Sequence, residues 1–226
     1  MLKSDFHLHT SEDPCDRIKY NAQTLIKQCA KLNFNVLAIT NHESIFYNNS
    51  IKSYAKKHGI LLIPGMEARI KFKDVLLLNP PLGMKNPKTF NELYKVKEKN
   101  PEMLVIAPHP YFIDTNCLGR KLKQHIKLFD VIEHCYFYHN IINRNKKAIR
   151  IATKYNKPMI ANSDSHRLYQ LNTNFTLVDA NQDKDSVLEA IRKSNLVIKT
   201  RPLTNHEFGR IFTIATKNKF RKKLFF

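Results

Sequence analysis

Residues 22–43 read AQTLIKQCAKLNFNVLAITNHE and contain one complete helix-to-strand unit. Apolar residues in its first half recur three and four residues apart, as on one face of an amphipathic helix; they are Leu25, Ile26, Cys29 and Leu32. Its second half, residues 35–40, is a short run rich in branched apolar residues, which predicts a buried strand. The strand is followed at once by Asn41, His42 and Glu43, so a metal-ligating residue type stands at its end.

This unit recurs along the whole chain. Further apolar runs of strand length are residues 3–8, 60–64, 75–78, 103–107, 131–132 with its continuation, 158–161 and 196–200. Further helical patterns are residues 50–58, 90–99, 118–128, 141–155 and 184–193. Strands that alternate with helices predict an α/β fold with a parallel sheet. About seven such steps in 226 residues favour a compact, closed TIM-like barrel in a single domain.

The chain is strongly basic, with 38 Lys and Arg residues against 19 Asp and Glu residues and a formal net charge of +19. Such a balance favours phosphorylated or polyanionic partners, although Lys is spread along the whole chain, as a general compositional bias would also produce. Only residues 217–226, KNKFRKKLFF, concentrate the charge and interleave it with aromatics. We therefore expect a barrel over residues 1–216 and a basic, aromatic tail over residues 217–226.

No apolar run approaches the roughly 20 residues that a membrane-spanning helix needs. The first ten residues, MLKSDFHLHT, also lack the apolar segment of a secretory signal. We therefore expect a cytoplasmic protein without a membrane partner.

Several predicted strands end in residue types that bind metals. The first strand runs into HLH, and later strands end in NHE, MEA, PHP, EH and NSDSH. His7 and His9 lie two apart, so in an extended chain both side chains point to the same face and can reach one metal. In a barrel the carboxyl ends of all strands meet at one face. The sequence therefore predicts one metal site built from several strands.

These segments resemble the PHP (polymerase and histidinol phosphatase) domain family. The residues that carry the resemblance are DFHLHT at 5–10, AITNHE at 38–43, PGMEA at 64–68, APHP at 107–110 and NSDSH at 162–166, in the order of the family. The resemblance implies a distorted (β/α)7 barrel that holds two or three divalent ions, Zn, Mn or Fe, and hydrolyses phosphate esters.

The resemblance also assigns metal ligands. His7 and His9 match the first histidine pair of the family, Glu67 its bridging carboxylate, and Asp164 the ligand that completes that first site. His109 matches the histidine of the Ser/Pro-His-Pro motif.

His42 and His166 match ligands of another metal ion. Two further ligand positions of the family leave a choice open. For the acidic ligand that follows the first histidine pair, Asp13 is our first choice and Glu12 the second. The remaining histidine of the family has no clear counterpart, and His134 is a candidate ligand in its place.

The predicted chemistry follows from the metal cluster. Divalent ions would lower the pKa of a bound water and so supply a hydroxide that attacks phosphorus. The predicted catalytic residues are Glu67, Asp164 and Arg167, with Arg69 and then Arg201 as alternative guanidinium groups for the transition state. With only five glycines in the chain, a glycine-rich nucleotide loop is not expected.

Two classes of function remain open. The first is an enzyme, either a phosphatase acting on a phosphorylated small molecule or a phosphodiesterase or exonuclease acting on nucleic acid. The second is a non-catalytic barrel that binds RNA, similar to an archaeal ribonuclease P subunit of this fold. Completeness of the ligand set favours the enzyme.

Overall fold

The computed structural model describes residues 1–112 and 115–210. Within these ranges the strands are β1 Leu2–Leu8, β2 Val36–Ile39, β3 Leu61–Ile70, β4 Lys73–Leu78, β5 Leu104–Ala107, β6 Val131–His134, β7 Met159–Ala161, β8 Phe175–Val178 and β9 Leu196–Lys199. The α-helices are α1 Ala22–Lys31, α2 Asn49–Lys57, α3 Phe90–Lys99, α4 Arg120–Gln124, α5 Asn145–Lys154 and α6 Lys184–Arg192, and a 3-10 turn spans Leu168–Gln170. Residues 205–210, at the end of the described part of the chain, are also helical. Each predicted helix is present, although α4 is shorter than predicted.

The strands form one sheet in the order β7-β6-β5-β4-β3-β2-β1-β8-β9. The sheet curls until β7 meets β8. There the hydroxyl of Thr176 accepts a hydrogen bond from the Ala161 N–H (2.9 Å) and donates one to the Ala161 carbonyl (2.8 Å). A side chain thus joins strands that no backbone ladder connects. The predicted α/β fold is confirmed as a single, nearly closed and distorted barrel.

The sheet is mixed. Strands β1, β2 and β3 are parallel to one another, as are β5, β6 and β7, whereas β4 pairs antiparallel with β3 and β5 and β8 pairs antiparallel with β1 and β9. Strand β8 was not predicted from the sequence pattern.

A hairpin joins β3 to β4. Its turn residues Lys71 and Phe72 both have positive φ, 48° and 62°, as a tight two-residue hairpin requires. Strand β3 therefore continues to Ile70, well past the predicted end at residue 64. Glu67 consequently lies inside a long strand and not at its end, with β2 on one side and β4 on the other.

Helices cover the outside of the barrel in groups. The buried faces of α3, α4 and α5 share one apolar cluster, which includes Phe90, Leu122 and Ala148. Helices α1 and α2 pack on a different cluster, which includes Leu25 and Ala55. None of the described helices is long and apolar enough to cross a membrane.

The predicted domain boundary at residue 216 and the basic tail of residues 217–226 lie outside the described residues. Both stay predictions.

Gly65 allows β3 to approach β2 closely next to the predicted ligands. A Cβ atom at this position would lie 2.5 Å from Cγ2 of Thr40 and 3.0 Å from the Ile39 carbonyl oxygen. The Thr40 side chain cannot easily turn away, because its hydroxyl accepts a hydrogen bond from the Leu8 N–H (3.1 Å).

We therefore expect Gly65→Ala to lower the free energy of unfolding by about 1–3 kcal/mol, the usual result of overpacking a tight core. Urea denaturation measures the effect. Ser53→Ala, on the exposed face of α2, is the control and should change stability by no more than about 0.5 kcal/mol. Equal stability of the two variants would contradict the steric argument.

Candidate metal centre

The carboxylate of Glu67 lies among four imidazoles. It is only 2% exposed, and its Oε2 atom lies 3.3 Å from Nε2 of His7, 3.3 Å from Nε2 of His9 and 3.2 Å from Nε2 of His42. Its Oε1 atom lies 3.3 Å from Nε2 of His109. The two oxygens thus face different histidines, which is the arrangement of a carboxylate able to bridge two cations.

Asp164 and His166 cover the outer side of this cluster. Oδ1 of Asp164 lies 3.4 Å from Nε2 of His7 and 3.5 Å from Nε2 of His9. The ring centroid of His166 lies 4.3 Å from that of His9. Asp164 has a positive φ of 47°, a strained conformation that is typical of functional positions.

The ligand atoms fall into overlapping groups whose members lie within 4.8 Å of one another. These groups are His7, His9 and Glu67; His7, His109 and Asp164; His9, His42 and His166; and Glu67, Asp74 and His109. The buried Nε2 atoms of His7 and His9 have no hydrogen-bond partner, as expected of ligand atoms. Mixed imidazole and carboxylate donors fit zinc, manganese or iron.

Asp74 also belongs to this cluster, although it was not predicted from the sequence. It is 5% exposed at the start of β4 and faces Glu67 and His109 from across the hairpin. Burial and then the nearby Glu67 charge raise the pKa of Asp74 to about 6, while Nε of Arg69 donates to its Oδ1 (2.9 Å). Two buried carboxylates side by side favour a cation between them. The available signal was a lone Asp directly before the apolar run VLLL.

Asp13 holds two histidines in place. Its Oδ2 lies 3.0 Å from Nδ1 of His9 and 2.9 Å from Nδ1 of His42, and also accepts from the His42 N–H (2.9 Å). Burial opposes ionisation, but the hydrogen bonds from His42 and His9 hold the pKa of Asp13 well below its usual range. Because Nδ1 of both rings is engaged, their Nε2 atoms face the cluster. Asp13 thus lies where it orients ligands.

Asp16 stands closer to the position expected of an acidic ligand. Its Oδ2 lies 3.3 Å from Nε2 of His166, and it lines the same cavity as His42. Glu12, our second choice for this ligand, lies elsewhere, since its carboxylate accepts from the Ala22 N–H at the start of α1.

Glu133, which precedes His134 in the strand-end pair EH and was not predicted to be a ligand, supports the inner side of the cluster. Its Oε1 accepts from Nδ1 of His7 (3.0 Å) and from the Asn162 amide (2.8 Å), and its Oε2 accepts from the His109 N–H (2.8 Å). Burial alone would lower the pKa of His7, but the charges of Asp164, Glu133 and Glu67 raise it well above its ordinary value. A carboxylate inside an apolar strand is itself a signal, since it needs partners.

The structure does not bring His134 into the described groups of ligand atoms. Neighbouring strand residues point to opposite faces, so a Glu133 side chain that faces the cluster turns His134 away. Its ring packs edge-on against Tyr138, with centroids 5.1 Å apart.

The three candidate arginines differ in position. Arg69 lines the cavity over the cluster. Arg201 forms an ion pair with Glu207 at 2.7 Å. Arg167 is half-buried and does not line this cavity within the described part of the chain. Arg69, our second choice, is therefore the best-placed guanidinium.

A cavity of about 200 Å³ opens over the cluster. His42, Glu67, His109, Asp164 and His166 line one side of it. Three aromatic residues, Phe112, Tyr136 and Phe137, also line it. The cavity thus exposes ligand atoms of the cluster beside flat apolar rings.

We expect Glu133→Gln to weaken metal binding about 10–100-fold, the usual effect of removing a group that orients a ligand. All three partners of Glu133 donate hydrogen bonds, whereas a glutamine offers only one accepting oxygen, so its amide group would face a donor. Competition with a chromophoric chelator measures the affinity. Glu98→Gln, on the exposed face of α3, is the control. An unchanged affinity would show that Glu133 does not orient His7.

Comparisons with known sequences match parts of the chain. A family model described as PHP-associated matches residues 143–196. A PolC-type DNA polymerase III from Staphylococcus epidermidis is 38% identical over 66 residues, which covers 29% of this chain and 4% of the polymerase. An uncharacterised protein from Methanocaldococcus jannaschii is 28% identical over 133 residues, covering 54% of this chain and 75% of that protein.

Solved structures share the fold. A two-domain protein from Bacteroides vulgatus that contains a predicted PHP-like metal-dependent phosphoesterase superposes with a TM-score of 0.67 at 20% identity, over 88% of this chain and 65% of its own. The lesion-specific endonuclease EndoQ from Pyrococcus furiosus superposes with a TM-score of 0.61 at 17% identity, over 87% of this chain and 57% of its own. An Endonuclease Q complex with a 27-mer duplex substrate carrying an abasic lesion superposes with a TM-score of 0.56 at 15% identity, over 85% of this chain and 55% of its own.

The chain therefore spans about two thirds or less of these structures and a small fraction of the polymerase. The resemblance that the motifs indicate is thereby confirmed: the chain has the barrel fold of PHP-like proteins and carries a PHP-associated segment at residues 143–196.

Proposed function

We propose that the protein is a metal-dependent phosphoesterase that uses two or three divalent ions. The observation that carries this proposal is the position of Glu67. Its Oε2 faces His7, His9 and His42, and its Oε1 faces His109, so one buried carboxylate joins separate groups of ligand atoms.

The clusters suggest which residues would hold each ion. His7, His9, Glu67 and Asp164 would hold the first; Glu67, Asp74 and His109 the second; and His42, His166 and Asp16 the third. Imidazole with carboxylate oxygen is compatible with Zn, Mn or Fe. The buried, unpartnered Nε2 atoms of His7 and His9 support the fit.

The residues around the cluster suit phosphoryl transfer. Bound divalent ions would supply a water of lowered pKa and neutralise the phosphoryl oxygens. Asp164, in its strained conformation at the cavity edge, is placed to orient the attacking water. Arg69, fixed by Asp74, presents a guanidinium to the same cavity for the remaining phosphoryl charge. Phe112 and Phe137 restrict the access of bulk water from one side.

The metal cluster itself is compatible with two classes of substrate. The Bacteroides protein contains a predicted phosphoesterase, and the Endonuclease Q structure holds a 27-mer duplex substrate with an abasic lesion, so similar barrels are associated with phosphate esters and with nucleic acid. A phosphorylated small molecule remains the alternative. The expected cytoplasmic location stays a prediction.

We expect wild-type protein purified without chelator to carry two or three ions and to cleave a phosphate ester. Glu67→Ala and the isosteric Glu67→Gln should lose metal and reduce cleavage at least about 10³-fold, because the bridging ligand is gone. Elemental analysis and a hydrolysis assay measure both, and chelator should abolish cleavage until metal is restored. Glu98→Ala is the exposed control. Wild type without metal or cleavage would favour the non-catalytic, RNA-binding barrel.

Asp13 and Asp16 provide a second test. Asp16→Asn should remove one ion from the saturated protein, since it takes away a proposed ligand of the third ion. Asp13→Asn should keep the number of ions and weaken their affinity about tenfold or more, since it acts through His9 and His42. Elemental analysis at limiting and saturating metal separates the two effects. Full metal content in Asp16→Asn would contradict the assignment.

A further inference from the structure

The aromatic side of the cavity continues into a second cleft. Phe112 and Phe137 pack edge to face, with ring centroids 5.1 Å apart, and both are only partly buried. One face of Phe137 is stacked on Phe208, with centroids 4.8 Å apart, so a base would use Phe112 and the remaining exposed part of Phe137. Both rings line the cavity over the cluster and also a neighbouring cleft that Arg144 borders. A path of flat apolar surface therefore leads from the ligand atoms to a guanidinium.

Beyond Arg144 the surface is strongly cationic. Nine exposed cations lie on or beside α4 and α5, a set we call the α4–α5 cationic surface: Arg120, Lys121, Lys123, Lys127, Arg144, Lys146, Lys147, Arg150 and Lys154. None of the nine forms an ion pair with another described residue. Residues 115–157 hold no exposed carboxylate to offset them, because Glu133 is buried in the site and Asp130 is paired with Lys97.

The two helices present these cations on one side of the barrel. Leu122 of α4 and Ala148 and Ile151 of α5 pack into the same apolar cluster, so the opposite faces of both helices point to solvent. The loops that lead into α4 and α5 are those that carry Phe112 and Phe137. The ammonium of Lys147 lies 4.4 Å from the ring centroid of Tyr111, next to Phe112 in the first of these loops. The α4–α5 cationic surface is thus continuous with the aromatic wall formed by Phe112 and Phe137.

The order of metal cluster, aromatic rings and cationic surface matches one ligand chemistry. A phosphorylated small molecule fills the cavity and has no group for cations outside it. An acidic peptide or an anionic lipid offers negative charge but no flat ring beside a phosphate. A nucleic acid strand offers both, since its bases stack on aromatic rings and its phosphates pair with Lys and Arg.

We propose that the substrate is a nucleic acid strand whose scissile phosphate lies at the metal cluster, with a neighbouring base on Phe112 and Phe137 and flanking phosphates on the α4–α5 cationic surface. This inference rests on the proposed function for the scissile phosphate only. Strand binding itself can be measured without catalysis.

The test is fluorescence anisotropy with a labelled single-stranded oligonucleotide in the presence of chelator, over a range of salt concentrations. The surface variant replaces Arg144, Lys146, Lys147 and Arg150 with Gln. The matched control replaces four exposed cations on the separate α1–α2 face with Gln, namely Lys27, Lys31, Lys52 and Lys56. Thermal unfolding of both variants confirms that they are folded.

We expect the surface variant to bind at least tenfold more weakly than wild type and the control to bind within about twofold. Each lost phosphate contact should lower the slope of log affinity against log salt by about 0.7 for a single strand. Equal weakening in both variants would overturn the inference, because it would show that net charge alone attracts the strand.

Phe137→Leu tests stacking separately, because leucine keeps the apolar volume and loses the flat ring. We expect about tenfold weaker binding with little change in the salt slope. Wild-type affinity in this variant would contradict the proposed base position. So would polyglutamate displacing the strand as effectively as an unlabelled oligonucleotide.

The outcomes separate this inference from the proposed function. Surface-dependent binding without any hydrolysis in the presence of metal would leave the binding surface in place and refute the phosphoesterase. Hydrolysis of an aliphatic phosphate monoester by a wild-type protein that shows no measurable strand affinity would support the phosphoesterase and overturn the nucleic acid inference.

Discussion

A charged carboxylate buried at the carboxyl end of the barrel is the constraint around which the site is organised. An isolated ion in such a place costs on the order of several kcal/mol, so Glu67 requires compensating charge or hydrogen bonds. Four imidazoles converge on it, and His7 and His42 foremost hold its pKa well below the usual range against the effect of burial. The histidines in turn need partners for their second nitrogen atoms, which Glu133 supplies to His7 and Asp13 to His42. The centre thus dictates a second layer of carboxylates.

The second layer depends on side chains that replace the sheet ladder where it stops. The pairing of β1 with β2 is irregular between Asp5 and Leu8, the segment that carries His7. Backbone N–H groups in and beside this segment are bound by side chains instead: the Phe6 N–H by Asn162 (2.8 Å) and the Leu8 N–H by Thr40 (3.1 Å). The amide of Asn162 also donates to Glu133. One residue therefore joins the irregular strand to the group that orients His7.

Charges are arranged differently in the centre of the barrel and on its surface. Inside, cations and carboxylates are matched closely, and Asp74 and Arg69 extend this matching to the cavity wall. Outside, the cations of the α4–α5 cationic surface form no ion pair with another described residue. Such a distribution combines a rigid, charge-balanced centre with a long-range attraction for anions. The loops after β5 and β6 connect the two regions, because they carry the aromatic wall and lead directly into α4 and α5.

Much of this protein follows from sequence alone. Periodicity predicted α1 to α6, and the residue types at strand ends pointed to His7, His9, His42, Glu67, His109, Asp164 and His166, which the structure gathers in one cluster. These residues come together because strand geometry fixes which face a side chain takes, and because parallel strands end at a common edge. The sequence pattern also indicated a barrel, although the antiparallel hairpin of β3 and β4 and the added strand β8 escaped it.

Tertiary structure alone decided which carboxylates meet which nitrogen atoms. Asp13 and Asp16 are three residues apart in one loop, yet one faces Nδ1 atoms and the other faces Nε2 of His166. Asp74 reaches Glu67 only because the β3–β4 hairpin folds back. Glu133 faces the cluster and His134 does not, because neighbouring residues of β6 point to opposite faces. Spacing along the chain specifies residue types and faces. Partners across 29 residues, as for Asp13 and His42, or 126, as for His7 and Glu133, depend on how the strands are placed beside one another.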